Sequence, residues 1–149
     1  MPVKLFILVA EDDANDRVLL THALTRDSLP VRVAMVGDGE EAIDYLQGEG
    51  KFADRVRYPI PDLLMLDLKM PGLNGLDVLR WLRANDICAS LPVIIFSGSG
   101  LEKDVQDAYR LGANTYFQKL GDPRALVSLL RLVVQYWLAS MRPKCAVLA

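Results

Sequence analysis

One histidine and two cysteines leave the 149-residue chain with few soft or nitrogen metal ligands. No Cys/His grouping has zinc spacing, and two cysteines are too few for a disulfide framework, so a reducing, cytoplasmic setting is expected. There is no excess of basic charge either. With 17 basic and 19 acidic residues the net charge is −2, and no electrostatic footprint for a nucleic-acid backbone or an anionic membrane surface exists. Neither partner is expected. No apolar run approaches the ~18 residues of a membrane span. The opening MPVKLFILVA runs straight into Glu11, Asp12 and Asp13, which is unlike a signal peptide. Repeats and low-complexity tracts are missing. What remains is a chain that is 52% apolar and of one domain's length, which predicts a single domain over 1–149 with its core at about 4–138 and a short tail at 139–149.

Four apolar runs rich in branched residues stand out: LFILVA (5–10), VRVAMV (31–36), DLLMLD (62–67) and LPVIIFS (91–97). NTYFQK (114–119) is a weaker fifth. Helical patterns lie between and after them, at 14–27, 38–47, 74–86, 101–112 and 123 to about 140. Five βα alternations predict a parallel sheet with helices on both faces, because the strands are apolar throughout rather than at every second place. The fold class is therefore α/β, a doubly wound (βα)5 flavodoxin-like sheet of order 2-1-3-4-5. Asp13 and Asn74 or Gly75 are candidate helix starts, Pro123 suits a first helical turn, and Gly112 closes the fourth helix. The polar segment GEGKFADRVRYPIP (48–61) reads as a surface insertion.

Ligands of such sheets bind at the carboxyl ends of the strands, near the point where strand order reverses. The first strand ends on Glu11, Asp12 and Asp13, the third on Asp67, the fourth on Ser97 and the fifth on Lys119. Carboxylates gathered there repel each other by roughly 4 kcal/mol per close pair at an effective dielectric near 20, or take up protons. A cation is required. All-oxygen ligands select a hard ion, and a small open site suits Mg²⁺. Beside such an ion, an ammonium and a hydroxyl, Asp67 is placed as the nucleophile of an aspartyl-phosphate site, with Ser97 bonding the phosphoryl group and Lys119 supplying fixed positive charge on the far side.

The segments AEDDAND, DLLMLDLKMPGLNGLDVL, PVIIFSGSG and GANTYFQK resemble, in order and spacing, the successive motifs of response-regulator receiver domains. The likeness covers residues 4 to about 138. It implies that Asp67 accepts phosphate from a sensor histidine kinase, that Glu11, Asp12 and Asp67 hold Mg²⁺ with the Lys69 backbone carbonyl, that Ser97 is the switch hydroxyl, and that Tyr116 turns inward on activation. Asp13 falls at the family's variable third acidic position. The chain is similar to the single-domain regulators, and its insertion resembles that of regulators paired with phytochrome-type histidine kinases. One departure concerns the residue after the lysine, usually proline and often cis. Leu120 stands here, and a cis bond before leucine costs about 2.5–4 kcal/mol, so a trans Lys119–Leu120 bond is predicted.

Rival readings are an aspartyl-phosphate phosphatase, a flavodoxin-like electron carrier, and a receiver fold used only for docking. The phosphatase reading needs a second aspartate two places after the nucleophile, where this chain has Lys69. In the carrier reading, EDDAND would repel the cofactor's phosphate. Intact acid, hydroxyl and lysine positions argue against pure docking. Ser97-Gly98-Ser99-Gly100 lacks the lysine of a nucleotide loop and reads as a turn. His22 reads as a solvated helix residue, and Trp81 and Trp137 as packing residues. In the last helix, Leu126, Leu129, Leu130, Val133 and Trp137 form one stripe, while Val127, Leu132, Val134, Tyr136 and Leu138 are surplus to it. That surplus predicts a homodimer through the last helix.

Overall fold

The computed structural model describes residues 3–85, 88–119, 121–143 and 145, with the backbone alone at 27. Its elements are β1 (Leu5–Ala10), α1 (Ala14–Thr25), β2 (Val31–Val36), α2 (Gly39–Gln47), β3 (Leu63–Leu66), α3 (Gly75–Ala84), β4 (Val93–Ser97), α4 (Glu102–Arg110), β5 (Thr115–Gln118) and α5 (Pro123–Ala139). The strands are parallel and ordered β2-β1-β3-β4-β5, as the alternation predicts. Strands β3, β4 and β5 are shorter than their apolar runs. At β3 the cause is local: the Asp62 carboxylate accepts the Phe6 N–H at 2.8 Å, so its side chain takes a place in the ladder.

Alternation along each strand sorts the core into two layers. Phe6, Leu8, Leu64, Leu66, Val93 and Ile95 pack on α2 and α3, while Leu5, Ile7, Leu63, Met65, Ile94 and Phe96 pack on α1 and α5. Leu64 is fully buried, and its truncation to alanine costs about 2–5 kcal/mol through lost contacts and a residual cavity. Trp81 and Trp137 lie against the two layers as packing residues, and His22 is exposed.

Helix starts follow the local chemistry. Asp13 caps α1 by accepting the Asp16 N–H, Asn74 and Asp77 form a reciprocal capping box on α3, and Pro123 opens α5. Gly112 follows α4 at φ 100°, a conformation that side chains rarely adopt.

Two expectations need correction. The 48–61 insertion is anchored rather than simply superficial: Phe52 is buried and stacks edge-on against Tyr58, and Tyr45 Oη donates to the Pro59 carbonyl at 2.9 Å. Arg55 donates to the Leu46 and Tyr58 carbonyls at 2.7 and 3.0 Å, which fixes the loop to α2. The second correction concerns the cysteines. Cys88, before β4, and Cys145, in the tail, form a disulfide across 57 residues. Arg142 holds the same tail by donating to the Lys4 carbonyl at 2.8 Å. The Lys119–Leu120 bond lies outside the described residues, since 120 is not among them.

Candidate functional site

Register places the site. Ala10 is paired with Leu66, so the next residues, Glu11 and Asp67, leave neighbouring strands at the same level. Backbone bonds hold both ends: the Asp67 N–H donates to the Ala10 carbonyl at 3.1 Å, and the Glu11 N–H to the Val36 carbonyl at 3.0 Å. On the other side the Lys119 N–H donates to the Ser97 carbonyl at 2.7 Å. Residues from four strand ends therefore meet over one edge of the sheet.

Glu11 and Asp67 are buried, at 1% and 6% exposure, while Asp12 is exposed. Carboxylate oxygens of Glu11, Asp12 and Asp67 all lie within 4.8 Å of one another. Three hard oxygen donors at that spacing, one facing solvent and with no thiolate or imidazole among them, fit a small divalent cation such as Mg²⁺. Lys69 stands in the β3–α3 loop, where its N–H donates to Asp67 Oδ1 at 3.3 Å.

Lys119 is not across the site from the acids but among them. Its Nζ lies 2.5 Å from Glu11 Oε1, 2.8 Å from Asp16 Oδ2 and 3.0 Å from Asp67 Oδ2. Burial alone would lower this ammonium, but its bonds to Asp16, Glu11 and Asp67 outweigh burial and hold it above the usual lysine range. Burial pushes the Glu11 carboxyl up to about 7; the Lys119 bond opposes that shift and the neighbouring Asp67 charge adds to it. The electrostatics are those of a crowded acidic cavity held together by one side chain.

Ser97 is fully buried at the end of β4, and its Oγ accepts the Ser99 N–H at 3.2 Å. Tyr116 bends back to this loop and donates its hydroxyl to the Ser99 carbonyl at 2.7 Å. Ser99 Oγ donates to Asp104 Oδ2 at 2.5 Å, and Asp104 pairs with Lys69 at 3.7 Å, so the β3–α3 and β4–α4 loops are linked. Asp13 remains a cap and belongs to α1. Asp16 and Asp104 are the residues that sequence reasoning missed. For Asp16 a signal existed, since it stands one turn into the helix that opens from the acidic run. For Asp104 none did.

The model of the family described as the response regulator receiver domain matches residues 7–131. The chain belongs to this family. Response regulator Rcp1 of Synechocystis sp. is 28% identical over 135 residues, 91% of this chain and 90% of that protein. The Mn²⁺-bound form of Rcp1 superimposes with a TM-score of 0.84, covering 93% of this chain and 99% of that one. The phosphorylated cyanobacterial phytochrome response regulator RcpA is 31% identical with a TM-score of 0.87, covering 94% and 99% of the two chains. Response regulator RPA3017, described in red light signaling of R. palustris, is 35% identical with a TM-score of 0.87, covering 97% and 99%. The chain spans about half the length of other relatives it matches, the DNA-binding response regulators MtrA. It is thus a receiver domain of two-component signalling, a family whose members pair with sensor histidine kinases. No helix among the described residues is long and apolar enough to cross a membrane.

Proposed function

We propose that Asp67 is the phosphoacceptor of this receiver domain, with Glu11, Asp12, Asp67 and the Lys69 carbonyl as the ligands of Mg²⁺. The observation that carries this reading is the meeting of three carboxylates and one ammonium around Asp67. An Asp67 carboxylate oxygen forms the new bond to phosphorus while the P–N bond to the kinase's phosphohistidine breaks, and the imidazole keeps the electron pair. Bound Mg²⁺ supplies charge neutralisation at the phosphoryl oxygens. Lys119 gives up its contact with Asp67 and bonds a phosphoryl oxygen instead. Ser97 moves toward the new group, and Tyr116 follows into the space released. The surface of α4 and β5 then prefers another partner, a shift between existing populations. The protein is read as a signalling phosphoacceptor, limited to phosphorylation and dephosphorylation of itself.

The partner is read as a phytochrome-type sensor histidine kinase, a reading supported by RcpA and RPA3017. A homodimer through α5 is supported by Leu132 and Tyr136, which lie one turn apart and are each 65% exposed. The test is incubation with acetyl phosphate and Mg²⁺, followed by intact mass and sizing. One added phosphoryl group is expected, absent in Asp67→Asn, together with a dimer that Leu132→Glu dissociates. Labelling that persists in Asp67→Asn rejects the acceptor, and a monomer under all conditions rejects the dimer.

A further inference from the structure

An ammonium has three N–H donors, and all three of Lys119 end on carboxylates: Glu11, Asp16 and Asp67. Two of these belong to the trio able to share a cation, whereas Asp16 does not. A bound divalent ion and Lys119 therefore draw on the same two carboxylates, and only Asp16 is reserved for the lysine. Its place is set by the backbone: Asp16 stands in the first turn of α1, and its N–H donates to the capping Asp13 Oδ1 at 2.9 Å. The pair is partly screened, with side-chain exposures of 34% for Asp16 and 19% for Lys119.

We propose that Asp16 is a positioning residue that retains the Lys119 ammonium when Glu11 and Asp67 turn to the divalent cation. The inference rests on the phosphoacceptor reading above. With Asp16 present, Lys119 shares two acceptors with the ion yet keeps a charged one of its own beside the site, in reach of an incoming phosphoryl oxygen. Without it, the ammonium is bound only by Glu11 and Asp67, whose carboxylates it shares with the ion, so admitting the ion weakens every contact left to Lys119. Loss of the Asp16 charge also weakens the local negative potential, which by itself reduces cation binding. That second effect does not pass through Lys119, and a double-mutant cycle separates the two.

Mg²⁺ is titrated calorimetrically into wild type, Asp16→Asn, Lys119→Met and the double variant, each checked by metal-free thermal unfolding. The Mg²⁺ Kd should rise about tenfold for Asp16→Asn when Lys119 is present, and less than about twofold in the Lys119→Met background. Asp16→Glu, which keeps the carboxylate, should restore affinity to within about threefold of wild type. Equal changes in the two backgrounds overturn the proposal, because Asp16 would then act as bulk charge. Should Asp16→Asn not fold, Asp16→Ser takes its place in the same cycle. Phosphoryl labelling of wild type at saturating Mg²⁺ tests the phosphoacceptor reading separately: wild type that labels but shows no coupling in the cycle sinks only the role of Asp16. Wild type that binds no Mg²⁺ sinks both.

Discussion

Lys119 Nζ lies 2.5 Å from Glu11 Oε1, tying the end of the fifth strand to the end of the first across the site. Glu11 is 1% exposed, so removing this partner leaves a carboxylate that water reaches poorly. Breaking a fully buried pair costs about 3–5 kcal/mol, and the figure is discounted here because Lys119 is partly exposed and Glu11 can take up a proton. Lys119→Met should therefore lower metal-free stability by about 2 kcal/mol at pH 8, by urea unfolding, and by clearly less at pH 6. An equal loss at both pH values would contradict this account of the pair.

The raised Glu11 carboxyl gives a pH dependence with a definite sign. Its value moves from 4.5 to about 7 on burial, so between these limits the folded chain holds a proton that the unfolded chain has lost. Its contribution to metal-free stability accordingly falls as pH rises through that window. Cation binding needs the ionised form, so apparent Mg²⁺ affinity should climb with pH up to about 7, by at most about tenfold per unit. Calorimetry at pH 6 in two buffers of different protonation enthalpy should count nearly one proton released per ion. A count of zero would mean that Glu11 is already ionised at pH 6 and would overturn this account of the pH dependence.

Gly75 gives a steric test of how the acceptor is held. A Cβ added there would lie 2.2 Å from the Asp67 carbonyl oxygen, so α3 reaches the end of β3 only because this position has no side chain. Gly75→Ala should displace the Asp67 loop, cost about 2–3 kcal/mol and slow acetyl phosphate labelling at least about tenfold. Gly98 follows Ser97, and a Cβ there meets nothing within 4 Å. Gly98→Ala is the matched control, with unchanged stability. If the two alanines behave alike, close approach is not what positions Asp67.

Strand runs and their terminal residues were legible in the sequence because both follow from short-range pattern: continuous apolar stretches give doubly covered strands, and parallel order puts their last residues on one edge. Glu11, Asp67, Ser97 and Lys119 were found in this way. What the pattern could not carry was direction in space. Lys119 was expected opposite the acids, yet it reaches into them, its ammonium donating to Glu11, Asp16 and Asp67. Phe52 and Tyr58 looked like parts of a polar loop, yet both rings pack against Tyr45 on α2, burying Phe52 and half-burying Tyr58. The Cys88–Cys145 pairing was invisible for a related reason, since no local rule joins residues 57 apart.

That disulfide makes the last prediction. Closing a 57-residue loop restricts the unfolded chain, and the chain-entropy model assigns about 4 kcal/mol to a loop of that size, with engineered and native cases spread below it. Cys145→Ser should lower stability by about 2–4 kcal/mol and leave one thiol, Cys88, which is 2% exposed and should react slowly until the chain unfolds. The effect should be on stability alone, because the tail crosses the end of the sheet remote from Asp67, beside Lys4 and before β4. Thiol titration in denaturant decides the matter first: wild type purified without reductant should show no reactive thiol, and two after reduction. Two thiols in the unreduced protein would mean that the tail is held by Arg142 and packing alone, and the stability loss in Cys145→Ser should then be under about 1 kcal/mol.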